Sequence, residues 1–135
     1  MQGMMYTRPH PSILDEWNKT NPGWSFEDCL PYYKKSEKNL NPDVVDQDYH
    51  GFDGPMTVQR FPTIPAMCHV MLKAGEQMGY EIGDLAGKNQ TRIGISQMMV
   101  FEGLRMSTAK AYIRPHLNVR NNLEVRILRY GMYFH

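Results

Sequence analysis

The chain has 135 residues and a mass of 15.7 kDa, the length of one ordinary domain. Its 15 Lys+Arg stand against 14 Asp+Glu for a formal charge of +1, so composition offers no basic face for a nucleic acid. No apolar run approaches the ~20 residues that span a bilayer, Met1 to Pro11 has no targeting-peptide character, and two cysteines, Cys29 and Cys68, make no disulfide scaffold.

The first predicted element is a short helix over Ile13 to Trp17, with Ser12 and Asp15 as its N-terminal cap pair. Asn21-Pro22-Gly23 reads as a turn. A second helix starts at an N-cap Ser25, with Glu27 and Asp28 in its first turn and Lys34, Lys35 and Lys38 toward its end. Phe26, Cys29, Leu30 and Tyr33 give it one apolar face, while Pro31 should kink it or force a restart. Residues 39–55 read as loop, rich in Asn, Asp, Gly and Pro.

Met56 to Phe61 alternates like a half-buried strand that Pro62 ends. Pro65 suits the first helical position of Ala66 to Met78, with Gly79 as the C-terminal cap. Met67, Val70, Met71, Ala74 and Met78 line one face of that helix and predict its buried side. After a loop over 83–92, Ile93 to Phe101 reads as a strand and Glu102-Gly103 as a turn. Ser107 or Thr108 caps a short helix through Ile113 that Arg114-Pro115 closes. Leu123 to Ile127 alternates as a final strand. Long loops between three short helices and three strands point to function, or to elements packed on something beyond the chain.

Few residues carry recognisable chemistry on their own. There is no G-x-G-x-x-G, phosphate-gripping loop or G-x-S-x-G elbow. Cys68-His69 is a ligand-type pair, but neighbours on a helix diverge and no second cluster completes a metal site. His10, His50, His69, His116 and His135 are acid–base candidates by type alone. His50, in Tyr49-His50-Gly51, has a loop setting that suits function, and its plainer role is a hydrogen-bonded histidine packing a turn. Trp17 and Trp24 flank the 21–23 turn, as a small aromatic core pinning it or as a ligand-facing wall. Arg105, Lys110 and Arg114 form a positive group near Ser107, suited to ion pairs or to an anion.

Longer motifs do carry a resemblance. Gly3-Met4-Met5-Tyr6-Thr7-Arg8, Asp15-Glu16-Trp17, Asn21-Pro22-Gly23-Trp24-Ser25 and Leu30-Pro31-Tyr32-Tyr33-Lys34-Lys35-Ser36-Glu37 follow one another. Tyr49-His50-Gly51, Gly54-Pro55-Met56-Thr57-Val58, Ala74-Gly75-Glu76-Gln77-Met78-Gly79-Tyr80 and the run from Arg105 through Ser107-Thr108-Ala109 to Pro115 continue the order. Together they resemble the glucose–methanol–choline oxidoreductase family, its insect members closely, over about residues 1–128.

The resemblance implies an FAD-dependent enzyme that takes hydride from a CH–OH carbon onto the flavin, with a small-molecule alcohol as substrate and neither metal, nucleic acid nor membrane span. It implies an α+β fold in two parts, a Rossmann-like FAD domain and a substrate domain built on an antiparallel sheet with helices. By the same likeness, residues 1–38 carry the tail of an FAD-binding signature and its following helices. Residues 39–55 are a loop, 56–128 belong to a partial substrate-binding and FAD-domain segment, and 129–135 diverge. Gln2, Gly3, Met4 and Met5 correspond to the flavin-contacting segment, with Gln2 where the family usually has Asn or His. Residues 39–55 and 93–101 are expected to border the flavin or substrate side.

The family's N-terminal ADP-holding elements, its second signature and its catalytic histidine with a His or Asn partner have no counterpart in this sequence, so no catalytic residue is assigned. The expectation is a fragment of an FAD enzyme, inactive alone. The alternative is a non-catalytic truncated isoform or interaction protein.

Overall fold

The computed structural model describes residues 3–126, and they form an α+β fold. Helix α1 (Pro11–Asn18) starts earlier than expected, because Pro11 has no N–H to cap and a φ already suited to a first turn. His10, not Ser12, is its N-cap, and the His10 ring Nδ1 accepts the Ser12 N–H. Asp15 instead accepts the Phe26 N–H at 3.0 Å, which ties α1 to the next helix. Between them, the Asn18 side-chain oxygen accepts the N–H groups of Gly23 and Trp24 at 3.0 and 3.1 Å. Trp17 and Trp24 meet with centroids 5.1 Å apart. Both stay half exposed, so they clasp the turn from outside and form no core.

Helix α2 (Phe26–Ser36) has the expected start. Ser25 Oγ accepts the Asp28 N–H at 3.1 Å and the Asp28 carboxylate accepts the Ser25 N–H at 3.2 Å, a reciprocal capping box. Phe26 is buried, and Cys29, Leu30 and Tyr33 are half-buried. Pro31 does not restart the helix, which runs through it. The carbonyl it leaves unpaired belongs to exposed Glu27, where water can serve it.

Strand β1 (Glu37–Asn39) follows directly, where the sequence suggested a helix end and a loop. Period-two alternation buries Glu37 and Asn39 and turns Lys38 outward. β1 pairs in parallel with β2 (Met56–Val58), Glu37 opposite Met56 and Asn39 opposite Val58. Parallel neighbours need a long crossover, and residues 40–55 supply it through two one-turn 3₁₀ segments, Pro42–Val44 and Gln47–Tyr49.

β2 ends at Val58 rather than Phe61, and both Thr57 and Val58 are buried, so the expected half-buried alternation is absent. Gln59 then exchanges backbone hydrogen bonds with Met98 at 2.9 and 2.8 Å. On its other side the same stretch takes the N-terminal segment, with Tyr6 N–H donating to Gln97 C=O at 2.8 Å and Met99 N–H to Met4 C=O at 2.7 Å. Residues 93–101 are therefore not one strand. They make single bridges, and only β3 (Val100–Phe101) is regular, in a hairpin with β4 (Leu104–Arg105). The expected Glu102-Gly103 turn has φ of 51° and 72°, the primed type that matches strand twist. Val58, Met99, Met106 and Ala111 form the core beside it, with Tyr6, Met56 and Phe101 packed on.

Helix α3 (Ala66–Gln77) has Pro65 as its N-cap rather than as its first helical residue. Its end is a Schellman arrangement: Gly79 sits at φ +90°, Gly79 N–H donates to Glu76 C=O and Tyr80 N–H to Gly75 C=O. The predicted buried face is not buried. Met67, Val70, Met71 and Met78 are between 60% and 76% exposed, and the inward residues are Cys68, Leu72 and Gly75. Its polar residues His69, Lys73, Glu76 and Gln77 share one narrow face, and close approach decides which part of the wide remainder turns inward: a Cβ on Gly75 would stand 2.6 Å from the Ile93 side chain. An open hollow of about 340 Å³ runs beside this contact, bordered by Phe61, Ile64, Leu72, Ile93 and Met98.

Ser107 Oγ accepts the Lys110 N–H at 3.2 Å and opens a π-helical turn, Ala109–Ile113. It ends at Ile113 as expected, with Arg114 as its C-cap. Arg114–His116 continue as 3₁₀, where a proline in the first turn needs no N–H. Residues 123–126 carry no strand, and Ile127 and Tyr130 to His135 lie outside the described residues.

Two glycines hold the crossover against β1. A Cβ on Gly51 would overlap the Lys34 carbonyl, and one on Gly54 would overlap the backbone joining Ser36 and Glu37. Asn39 N–H donates to Gly51 C=O at 2.8 Å and Gly54 N–H to Glu37 C=O at 2.9 Å. Gly51→Ala or Gly54→Ala is expected to destabilise the chain by about 1–3 kcal/mol or more, read by urea denaturation. Gly3→Ala, whose Cβ would meet nothing nearer than 3.9 Å, is expected to change little.

Candidate functional site

Glu37 has no exposed surface, a rare state for a carboxylate. Its place on β1 aims it beneath the crossover loop, where Arg8 and His50 meet it. The Arg8 guanidinium donates to Glu37 Oε2 and to the Tyr49 carbonyl, and its Nε donates to the Tyr6 hydroxyl at 3.0 Å. Arg8 also lies 5.4 and 5.3 Å from the ring centroids of Tyr6 and Tyr33, so stacking and three donor directions fix it. On the other side, His50 Nδ1 is 2.7 Å from Glu37 Oε1, and His50 Nε2 is 2.8 Å from Asp84 Oδ2.

Amides complete the cluster. Asn39 Nδ2 donates to Glu37 Oε1 and to Gln97 Oε1, both at 2.9 Å. Gly51 N–H donates to Glu37 Oε2 at 3.3 Å. Asp84 accepts the N–H groups of Ala86 at 2.9 Å and Asp46 at 3.1 Å.

Burial pushes the Glu37 and Asp84 pKa values up, but the His50 hydrogen bond and the other donors outweigh it and hold both carboxyls below their ordinary range. Burial pulls the His50 pKa down, and its bonds to Asp84 and Glu37 reverse the sign, so the imidazole titrates above its ordinary value. Burial raises the Tyr6 phenol against the opposing pull of Arg8.

Of the sequence candidates, His50 is the one brought into a cluster, and in its hydrogen-bonded role. Both ring nitrogens are committed to carboxylates and its side chain is wholly enclosed, a poor position for an acid–base group that must reach a substrate. His10 caps α1, His69 and His116 are exposed, and His135 lies outside the described residues. Cys68 is half-buried and faces Leu72's side of α3, whereas His69 points to solvent. The positive group is divided: Arg105 donates to the Gly3 carbonyl at 3.2 Å, while Lys110 lies 6.0 Å from the Phe101 ring centroid. Asn39, Asp84 and Gln97 were not singled out by sequence, and Arg8 and Glu37 stood there only as the ends of two family motifs. Their only local signal is the alternation Glu37-x-Asn39 and the glycine that follows His50.

Of the flavin-segment residues, Gln2 lies outside the described residues, and Gly3, Met4 and Met5 run beside 97–99. Gly3 is exposed, with open space on its Cα side. A hollow of about 200 Å³ lies next to it, bordered by Met4, Met99, Arg105, Met106, Ser107 and Thr108.

A family model described as GMC oxidoreductase matches residues 1–129. The chain belongs to that family. Similar relatives include glucose dehydrogenase (FAD, quinone) of Drosophila pseudoobscura pseudoobscura, 45% identical over 126 residues that make 93% of this chain and 20% of the relative. Oxygen-dependent choline dehydrogenase of Sinorhizobium medicae is 36% identical over 127 residues, 93% of this chain and 22% of that one. The chain thus spans about a fifth of the length of these GMC relatives.

Among solved structures, pyridoxine 4-oxidase from Mesorbium loti superposes with a TM-score of 0.71 at 23% identity, over 90% of this chain and 24% of that one. An FAD-dependent oxidoreductase from Chaetomium thermophilum gives 0.77 at 18% identity, over 85% and 22%. These two likenesses confirm the α+β fold.

Glu37→Gln removes the charge that answers the buried Arg8 guanidinium, and breaking a buried pair from one side costs about 3–5 kcal/mol. The variant is expected to lose stability on that scale in urea denaturation. Glu16→Gln, at an exposed pair with Lys19, is expected to lose less than about 1 kcal/mol.

Proposed function

We propose that this GMC segment serves an FAD-dependent oxidoreductase acting on CH–OH donors, with a small-molecule alcohol as substrate, and that the 135 residues do not turn over an alcohol by themselves. The observation that carries the reading is the family match along residues 1–129, with Gly3 exposed beside the hollow that Met4 borders. FAD, when bound, supplies the acceptor for the hydride that leaves the alcohol carbon.

The residues present fit one edge of such a cofactor. Gly3 leaves its backbone open to a flat ring, Met4, Met99 and Met106 offer apolar contact, and Ser107, Thr108 and Arg105 offer polar atoms around the same hollow. Gln2, Gly3, Met4 and Met5 are assigned to that contact. The hydrogen bonds from Met99 to Met4 and from Tyr6 to Gln97 hold the segment in line, and Arg105 anchors the Gly3 carbonyl. No described histidine is assigned to remove the alcohol proton, because the buried one is held between carboxylates.

The test has two parts. The purified 135-residue chain is expected to show no visible flavin absorbance and no alcohol-dependent dye reduction; a full equivalent of bound flavin would overturn its assignment as inactive alone. The native protein, captured with an antibody to residues 39–55 and weighed intact, is expected to be several times 15.7 kDa and to carry flavin. A native mass near 15.7 kDa would favour a non-catalytic short form and end the oxidoreductase reading for this chain.

A further inference from the structure

The histidine at the centre of the cluster faces an acceptor on each side. A carboxylate only accepts hydrogen bonds, and a neutral imidazole has a single N–H to give. Glu37 Oε1 at 2.7 Å and Asp84 Oδ2 at 2.8 Å therefore require both ring nitrogens of His50 to carry protons. With Arg8 on the far oxygen of Glu37, the enclosed group holds two cations and two carboxylates. Removing one proton leaves it a net charge of −1 and turns one short contact into lone pair against lone pair, an arrangement a buried site does not tolerate.

We propose that His50 is a charge lock: as the imidazolium it fastens Asp84 and the 83–92 loop to Glu37 of β1, and loss of its proton releases that loop and loosens the Arg8 segment behind Glu37. Asp84 is the side that lets go. Its side chain keeps 8% of its surface exposed against none for Glu37, and Glu37 stays held by Arg8, Asn39 and Gly51. Release of Asp84 also frees the N–H groups of Ala86 and Asp46, which it accepts. The lock thus joins the crossover, through Asp46 and His50, to a loop that follows α3.

The other groups around the ring do not supply a substitute cation. Asn39 Nδ2 approaches Nδ1 at 3.4 Å and the Tyr6 ring lies 6.5 Å away, centroid to centroid. Lys34 and Lys35 of α2 and Asp53 border the hollow beyond His50, but the Lys34 ammonium is bonded to the Asp48 carbonyl at 3.0 Å. The Asp46 carboxylate accepts the Lys88 N–H at 3.4 Å.

The direction with pH follows. Because the His50 pKa is raised in the fold, its contribution is fully present below the ordinary 6.5 and disappears as pH climbs through the raised value. Glu37 and Asp84 act in the opposite sense. Their pKa values are lowered, so their contribution is present above the ordinary 4.5 and 3.8 and disappears as pH falls through the lowered values.

The experiment uses the 135-residue chain with ¹⁵N-labelled histidine and backbone. The His50 ring is expected to have both nitrogens protonated at pH 6.5 and to titrate above that value. Amide exchange of Ala86 and Asp46, corrected for intrinsic base catalysis, should speed at least tenfold across that titration, while the Leu72 amide of α3 does not change. Asp84→Asn should lower the His50 midpoint and leave Ala86 and Asp46 exchanging fast at pH 6, with the pH step gone. A neutral His50 ring at pH 6 overturns the lock. So does exchange at Ala86 and Asp46 that ignores the titration, or that is already unprotected at pH 6 in the unsubstituted chain. Flavin content enters neither readout, so failure here is distinct from failure of the oxidoreductase reading.

Discussion

A carboxylate sealed between an arginine and a histidine is the constraint on which this fold is arranged. Glu37 cannot be buried on β1 unless Arg8 and His50 reach it, and each comes from a different part of the chain. Arg8 brings the N-terminal segment against Tyr33 of α2 and the Tyr49 carbonyl. His50 brings the crossover loop down so closely that Gly51 and Gly54 leave no space for a side chain. Asn39, two residues on and on the same face, extends the contact to Gln97 and hence to the stretch that pairs with Met5 and Gln59. The core cluster beside it has just four buried members, Val58, Met99, Met106 and Ala111, so specificity of arrangement rests heavily on these polar partners.

The same arrangement separates two kinds of surface. On one side of residues 97–99, Gly3 to Met5 run past a hollow with methionine walls and a polar rim. On the other side lies α3, fixed by the closeness of Gly75 to Ile93 and showing most of its methionines to solvent. A family segment that spans about a fifth of its relatives has both features side by side.

What the sequence disclosed divides along a physical line. The Ser25–Asp28 capping box, the Glu102-Gly103 turn and the Gly79 terminus were legible because their causes lie within a few residues. Glu37–Asn39 was hidden, since lysines at 34, 35 and 38 suit a helix end as well as a strand with one solvent face. The exposed side of α3 was misjudged because apolar periodicity says which residues share a face, not which face a glycine allows to approach. His50 was legible as a loop histidine with a hydrogen-bonding role. Its partners were not, because a buried ion pair leaves no periodic trace.

The partners of that cluster are also far apart along the chain. Arg8 and Glu37 are 29 residues apart, His50 and Asp84 34, and Asn39 and Gln97 58. Each closure carries a loop entropy that must be met before the contact gives anything back. The charges, moreover, lose water before their counter-charges arrive unless all segments close together. The capped helices α1 and α2, joined by the short turn at Gly23, contain no such obstacle. The order of assembly expected of this chain is local helices first and buried charges last, which would put the cluster's effect on how long the folded state survives more than on how fast it is reached.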